Sequence, residues 1–247
     1  MSYFLSNSPR KIGETISLTG EEARHILLSR RIRAGEIIEI QDPAWHRFES
    51  EVIEISKGSI LVQVLREIET PKESDLKITI FQAIIKEQPL DFIIQKATEL
   101  GVERLTLFNS KNSVDRFKDI EKKLVRWRKV GVEAAKQSGR IKSIEIEYLD
   151  DANEMINKIK NLEQVFLLEP SAKETFRSTW KLSSQVEQAD EIGILVGPEG
   201  GFTESEVEEF TKIKNIGLVN MGPRILRADT AAITSAAVIQ SLWGKNM

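Results

Sequence analysis

The sequence predicts an α/β protein with a mostly parallel sheet, preceded by a small β-rich domain. Between about residues 15 and 68, short segments alternate apolar with polar residues at the two-residue period of a strand. Beyond about residue 75 such strands alternate with stretches of helical period, the pattern of a parallel sheet covered by helices. With 247 residues, 40% of them hydrophobic, the chain can bury a core in each part.

In the first part the strands are ETISL, EIIEIQ, FESEVIEI and SILVQVLREI, separated by Gly35, Pro43 and Lys57-Gly58, and they predict a small barrel. One helix interrupts them, TGEEARHILLS, with Thr19 as its cap and acids in its first turn. The polar segment ETPKESD (69–75) carries a proline after the last strand, which places a first domain at residues 1–70 and a second at 75–247. The second domain takes KITIFQAII, RLTLFN, IEIEYL, QVFLLEP, EIGILVGPEGG and GLVNMG as strands. Its helices are LDFIIQKATELG, a long basic segment, ESEVEEFTKIK and TAAITSAAVIQSLWG, and no internal repeat or low-complexity tract is visible.

The chain has no cysteine, which removes disulfides, cysteine-bound metal clusters and thiolate nucleophiles. Its two histidines, His25 and His46, lack the partner motifs of a metal site or a Ser-His-Asp hydrolase, and His25 beside Leu27 and Leu28 reads as a packing residue. No window approaches the roughly 18–20 apolar residues of a membrane span. The start, MSYFLSNSPRKIGET, lacks the basic-then-apolar order of a signal peptide, so the expectation is a cytoplasmic protein without membrane or metal partners. A net charge of −3 argues against indiscriminate coating of nucleic acid, yet the segment 120–142 gathers eight cations against two acids. A second cluster holds Arg24, Arg30, Arg31 and Arg33. Arg30, Arg31 and Arg33, with Arg126, Arg128 and Arg140, are the candidate nucleic-acid-binding residues.

Two strand-end motifs stand out. In LVGPEGGFTESEVE (195–208) the strand ends at Gly197, and Thr203 with Glu206 forms the T-x-x-E capping box that starts a helix. Phe202 and Val207 fall at the positions of a hydrophobic staple. The glycines serve at least a sharp turn, and the succession of Gly197, Pro198, Gly200 and Gly201 also suits a ligand that touches backbone amides and carbonyls. No nucleotide-phosphate motif occurs. Glu199 would repel phosphates and suits a ligand bearing hydroxyls or positive charge. The second motif, NMGPRILRADTAA (220–232), is again a strand entering a glycine turn before a helix, and two such turns on one parallel sheet can form one pocket. Taken alone, Arg224 and Arg227 read as surface or capping residues.

GPEGG and MGPRILRADTA, together with QAIIKEQPLDFIIQKATELGV (82–102) and EAAKQSGR (133–140), resemble the bacterial RsmE family over nearly the whole chain and in the same order. These are small-subunit ribosomal RNA uridine N3-methyltransferases of the SPOUT superfamily. The resemblance implies a SPOUT-type trefoil knot in the α/β domain, a PUA-like RNA-binding N-terminal domain, a homodimer, S-adenosyl-L-methionine as cofactor, and 16S ribosomal RNA within the assembled small subunit as substrate. The family's cofactor pocket maps onto Leu168 and Glu169 with Pro170, onto Gly197, Pro198, Glu199, Gly200 and Gly201, and onto Met221, Gly222, Ile225 and Leu226. The chain departs from the family where LRTETA becomes LRADTA, so that Asp229 replaces a glutamate. It departs again where ERSV becomes KNSV (111–114), placing Asn112 at an arginine position, and at Ser2.

On this resemblance Arg227 orients the uracil and stabilises its developing negative charge, while Asp229 either handles the proton or caps the last helix. Lys86, Gln95, Lys96 and Glu99 match a further family motif, but Gln95 and Glu99 are also i, i+4 neighbours on a helix and Lys96 suits a solvated face, so structural roles are expected. Ala232, Ala236 and Ile239 fall at helical spacing on the last helix and form a face able to approach another helix closely, suited to a dimer contact. The alternatives are a related SPOUT enzyme acting on a ribose 2′-hydroxyl or on transfer RNA, and a noncatalytic RNA-binding module.

Overall fold

The computed structural model of the chain describes residues 3–30, 32–70, 73–113, 117, 119–150, 152–182 and 189–244, apart from the side chains of 25, 28–30, 152, 153 and 180–182. Ser2, Arg31 and the side chains of His25 and Arg30 therefore lie outside the described residues. The chain divides into two compact units, Met1–Lys72 with Lys136–Lys142, and Glu73–Ala135 with Ser143–Met247.

The first unit contains β1 (Phe4–Leu5), β2 (Thr15–Thr19), α1 (Gly20–Arg30), β3 (Ile37–Gln41), β4 (Arg47–Ser56) and β5 (Ser59–Ile68). Its five strands run in the order β1-β3-β4-β5-β2, antiparallel except where β1 lies parallel to β3. Alternation decides which residues turn inward: Ile16 and Leu18, Ile38 and Ile40, and Ile60, Val62 and Val64 bury against Ala23 and Ile26 of α1. Two register shifts in β4, at Glu49/Ser50 and Val52/Glu54, are the irregularities that bend a strand around such a core. Lys136, only 1% exposed, donates to Glu22 at 2.9 Å and lies over the Phe4 ring, so the charge is buried with a partner.

The second unit contains β6 (Lys77–Ala83), α2 (Glu87–Glu99), β7 (Arg104–Phe108), α3 (Ile120–Ser138), β8 (Glu145–Leu149), α4 (Ala152–Lys160), β9 (Gln164–Leu168), α5 (Phe176–Leu182), β10 (Glu191–Val196), α6 (Glu204–Thr211), β11 (Ile216–Val219) and α7 (Ala228–Trp243). The last turn of α3 is grouped with the first unit. Six strands form one wholly parallel sheet, β11-β9-β10-β6-β7-β8. Each strand feeds two cores, as a parallel sheet covered on both faces requires. Ile192 and Ile194 of β10 join a core with Trp127, Phe166 and Trp243, whereas Leu195 joins Phe81, Phe108 and Phe210 on the other face.

Two features differ from the sequence reading. The short helices α4 and α5 were not expected, because nine and seven residues give too little periodicity to separate from loop. Ala232, Ala236 and Ile239 are fully buried within their own unit, in the core shared with α2, and cannot form a dimer face. The small side chains of Ala232 and Ala236 let α7 pack on α2. Among the described residues, no helix is long and apolar enough to cross a membrane.

Candidate functional site

Because the sheet is parallel, β9, β10 and β11 end on the same edge, and the loops that follow them converge. They enclose a cleft of about 540 Å³ bounded also by Ile85, Lys86 and Pro89 where α2 begins. Its volume lies in the range of small-molecule sites, and its place beyond the carboxyl ends of the strands is where open α/β sheets bind ligands. Leu168, Glu169, Gly197, Pro198, Glu199, Gly201, Met221, Gly222, Ile225 and Leu226 line it, and so do Arg224, Arg227 and Asp229. Gly200 does not. A side chain there would face Asn112, its Cβ lying 3.4 Å from the Asn112 Cβ, so the residue points toward the 110–113 loop and away from the cleft.

The glycine loop is fixed by its neighbours. Thr203 and Glu206 make the reciprocal capping box at the start of α6, and Phe202 and Val207 pack into the adjoining core. Glu206, 8% exposed, accepts from the Thr203 N–H at 2.9 Å, the Thr203 hydroxyl at 2.8 Å and the Lys111 N–H at 2.8 Å. The Asn112 side chain donates to the Gly201 carbonyl at 3.1 Å, and buried Gln82 donates to that of Gly197 at 3.3 Å. Sequence reading flagged Asn112 only as a departure and gave Gln82 no role, since neither partnership has a local signature. Glu199 accepts from the Lys86 N–H at 3.2 Å, ahead of α2, so its carboxylate already ties the loop to a helix N-terminus. Glu206→Ala leaves two backbone donors without their partner, and urea denaturation is expected to show a loss of about 1–3 kcal/mol. Glu206→Gln, which keeps an acceptor, should lose less.

The second loop is organised by Asn220, whose side chain donates to the Ala172 carbonyl at 2.6 Å and accepts from the Gly222 N–H at 2.9 Å. Arg227, with extended φ and ψ, is the N-cap residue of α7 and makes no side-chain capping bond. Asp229 sits in the first turn, where its carboxylate accepts from the Thr230 N–H at 2.7 Å; it is not the cap that sequence reading held open. Neither Arg224 nor Arg227 has an ion-pair partner among the described residues, which leaves both guanidinium groups available at the cleft. Ile225, 85% exposed, stands on its lip.

The basic patches are less free than their charge count suggests. Arg126 donates to Asp91 at 2.7 Å and to Glu87 at 2.6 Å, so part of its charge is answered within its own unit. Glu87 is held below the usual carboxylate range by its hydrogen bond from Lys123, against the opposing effect of burial and with help from Arg126. Arg128 donates to the Ile146 carbonyl at 3.2 Å. The Arg140 carbonyl accepts from the Tyr3 hydroxyl at 2.7 Å, while Arg33 is exposed.

Residues 72–240 match the family model of the RNA methyltransferase domain, and residues 18–65 match that of the RNA methyltransferase PUA domain. The chain is 30% identical over 243 residues to ribosomal RNA small subunit methyltransferase E of Bacillus subtilis, covering 96% of this chain and 94% of that one. A crystal structure of ribosomal RNA small subunit methyltransferase E from Neisseria gonorrhoeae bound to S-adenosyl methionine superposes with a TM-score of 0.86 at 27% identity, over 100% of both chains. A structure from Legionella pneumophila shares the fold, with a TM-score of 0.87 at 24% identity and 98% coverage of each chain. With a PUA-type domain followed by a wholly parallel α/β methyltransferase sheet, and with a family match spanning most of its length, the chain belongs to the RNA methyltransferase family that includes ribosomal RNA small subunit methyltransferase E.

Proposed function

We propose that the chain is an S-adenosylmethionine-dependent methyltransferase that modifies N3 of a uridine in 16S ribosomal RNA. The observation that carries this reading is the cleft at the strand ends, where apolar Leu168, Val196, Met221 and Leu226 meet the half-buried backbone of Gly197, the exposed backbone of Gly201 and Gly222, and an unpaired Arg227. That donor set fits a nucleoside cofactor: apolar side chains for the adenine ring, main-chain groups for its polar edges, and no phosphate-binding motif. When bound, S-adenosylmethionine supplies an electrophilic methyl group on a sulfonium.

The chain's own residues must deal with the uracil. Its N3 carries a proton and is flanked by two carbonyls, so losing the proton spreads negative charge onto oxygen. Arg227 answers that charge with its N–H donors, and Asp229 takes the proton from N3. The base reaches the cleft only when unstacked from its RNA. Ribosomal RNA as substrate places the enzyme in the cytoplasm.

The test is to incubate the protein with S-adenosylmethionine and small-subunit RNA, digest the RNA to nucleosides and weigh the fragments. Methyl on the uracil base is expected. Methyl on ribose would move the reading to a 2′-hydroxyl enzyme, and a pure protein that binds no S-adenosylmethionine would leave only an RNA-binding module.

The reading includes the trefoil-knotted chain course and the homodimer of the SPOUT superfamily, for both of which the support is the resemblance. With the α7 face buried, Phe92, 47% exposed on α2, and Val125, 56% exposed on α3, are apolar residues left available to a second copy. Light scattering at micromolar concentration should give about twice the chain mass of 28.0 kDa; the monomer mass would overturn the dimer.

A further inference from the structure

The loop joining β3 to β4 holds a tryptophan in a backbone conformation that favours glycine. Asp42 builds the turn. Its carboxylate accepts from the N–H groups of Ala44 at 2.9 Å, His46 at 3.0 Å and Arg10 at 3.1 Å, and its carbonyl accepts from the Trp45 N–H at 3.1 Å. This leaves Trp45 with a φ of +70°, where a bulky side chain is an outlier and glycine or asparagine is at ease. The ring is only partly buried in exchange. Trp45 is 46% exposed, whereas Trp127 and Trp243 are buried in the core.

One cation stands at the ring. Lys142 Nζ lies 5.8 Å from the ring centroid, and Lys142 belongs to the same compact unit as Trp45. The acids that touch this loop are already engaged, Asp42 within the turn and Glu67 with His46 at 2.6 Å. The PUA-domain match, residues 18–65, includes the loop. A strained residue kept where an unstrained one would fit points to a use for its side chain. An exposed indole beside an ammonium has the chemistry to stack a nucleobase and neutralise its phosphate.

We propose that Trp45 is a stacking platform for one unpaired base of the RNA substrate, with Lys142 beside the ring to meet the adjoining phosphate. This rests on RNA being the substrate. It makes no use of the methyl-transfer cleft, so the two can be tested apart.

The experiment titrates a short unstructured RNA oligonucleotide into the full chain and follows tryptophan fluorescence and affinity. The wild type should bind with quenching. Trp45→Asn should lose that quenching and bind about tenfold more weakly. It should unfold at an equal or higher temperature, because asparagine tolerates the left-handed backbone, and its S-adenosylmethionine affinity should be unchanged. Trp45→Phe should keep most of the RNA affinity and Trp45→Leu should not, which separates stacking from a merely structural role. Lys142→Ala should flatten the log–log salt dependence by about one unit. Wild-type RNA affinity in Trp45→Asn, or equal weakening by the Phe and Leu variants, would overturn the platform while leaving the substrate reading standing. Failure of the wild type to bind any RNA would overturn both.

Discussion

Arg227→Ala is expected to lower the methylation rate at saturating RNA and cofactor by roughly 10²–10³-fold, with both affinities nearly unchanged. The side chain gives the fold little to lose: it is exposed at the cleft, makes no capping bond at the start of α7 and has no ion-pair partner among the described residues. The loss must therefore appear in the chemical step, where charge on the uracil oxygens grows as N3 gives up its proton. An interaction made mainly in the transition state lowers kcat and kcat/KM together and leaves KM alone. Arg227→Lys should recover part of the rate, because a lysine keeps the charge but not the planar fork of donors. An unchanged kcat, or a loss carried wholly by KM, would remove Arg227 from the chemistry.

What the sequence disclosed about this site depended on how local each feature is. The capping box at Thr203 and Glu206 needs only four consecutive residues, and it forms as read. The strands of the parallel sheet were readable for the same reason, since a run such as EIGILV carries its own period. Counting cations along a helix says nothing of Glu87 and Asp91, which lie 39 and 35 positions from Arg126 and answer part of its charge. The spacing of Ala232, Ala236 and Ile239 correctly announced a close helix approach but could not say which helix approaches; it is α2 of the same chain. Within the glycine loop the residue types were plain while their directions were not. Gly200 and Gly201 are adjacent, yet only Gly201 lines the cleft.

That difference in direction sets the second large effect, on cofactor affinity. Gly222 and Gly201 line the cleft at φ values of +103° and +71°, with open space where a Cβ would project. A valine at either position strains the backbone by about 1–3 kcal/mol. Both loops are exposed there, so a free protein can relieve the strain by letting the loop move, and the fold should survive with little change in unfolding temperature. Binding then has to restore the native loop, and the strain reappears as lost affinity. At about 1.4 kcal/mol per tenfold, S-adenosylmethionine should bind roughly 5- to 150-fold more weakly to Gly222→Val and Gly201→Val. Gly222→Val should suffer more, because its φ lies further from any value a branched residue adopts. Gly200→Ala is the control. It has no positive φ, its new methyl meets Asn112 at an ordinary 3.4 Å, and it faces away from the cleft, so its affinity should match the wild type. Calorimetric titration of the three variants decides the matter: wild-type affinity in a folded Gly222→Val would mean that the cofactor does not rest on this loop, and a large loss in Gly200→Ala would mean that the loop turns the other way.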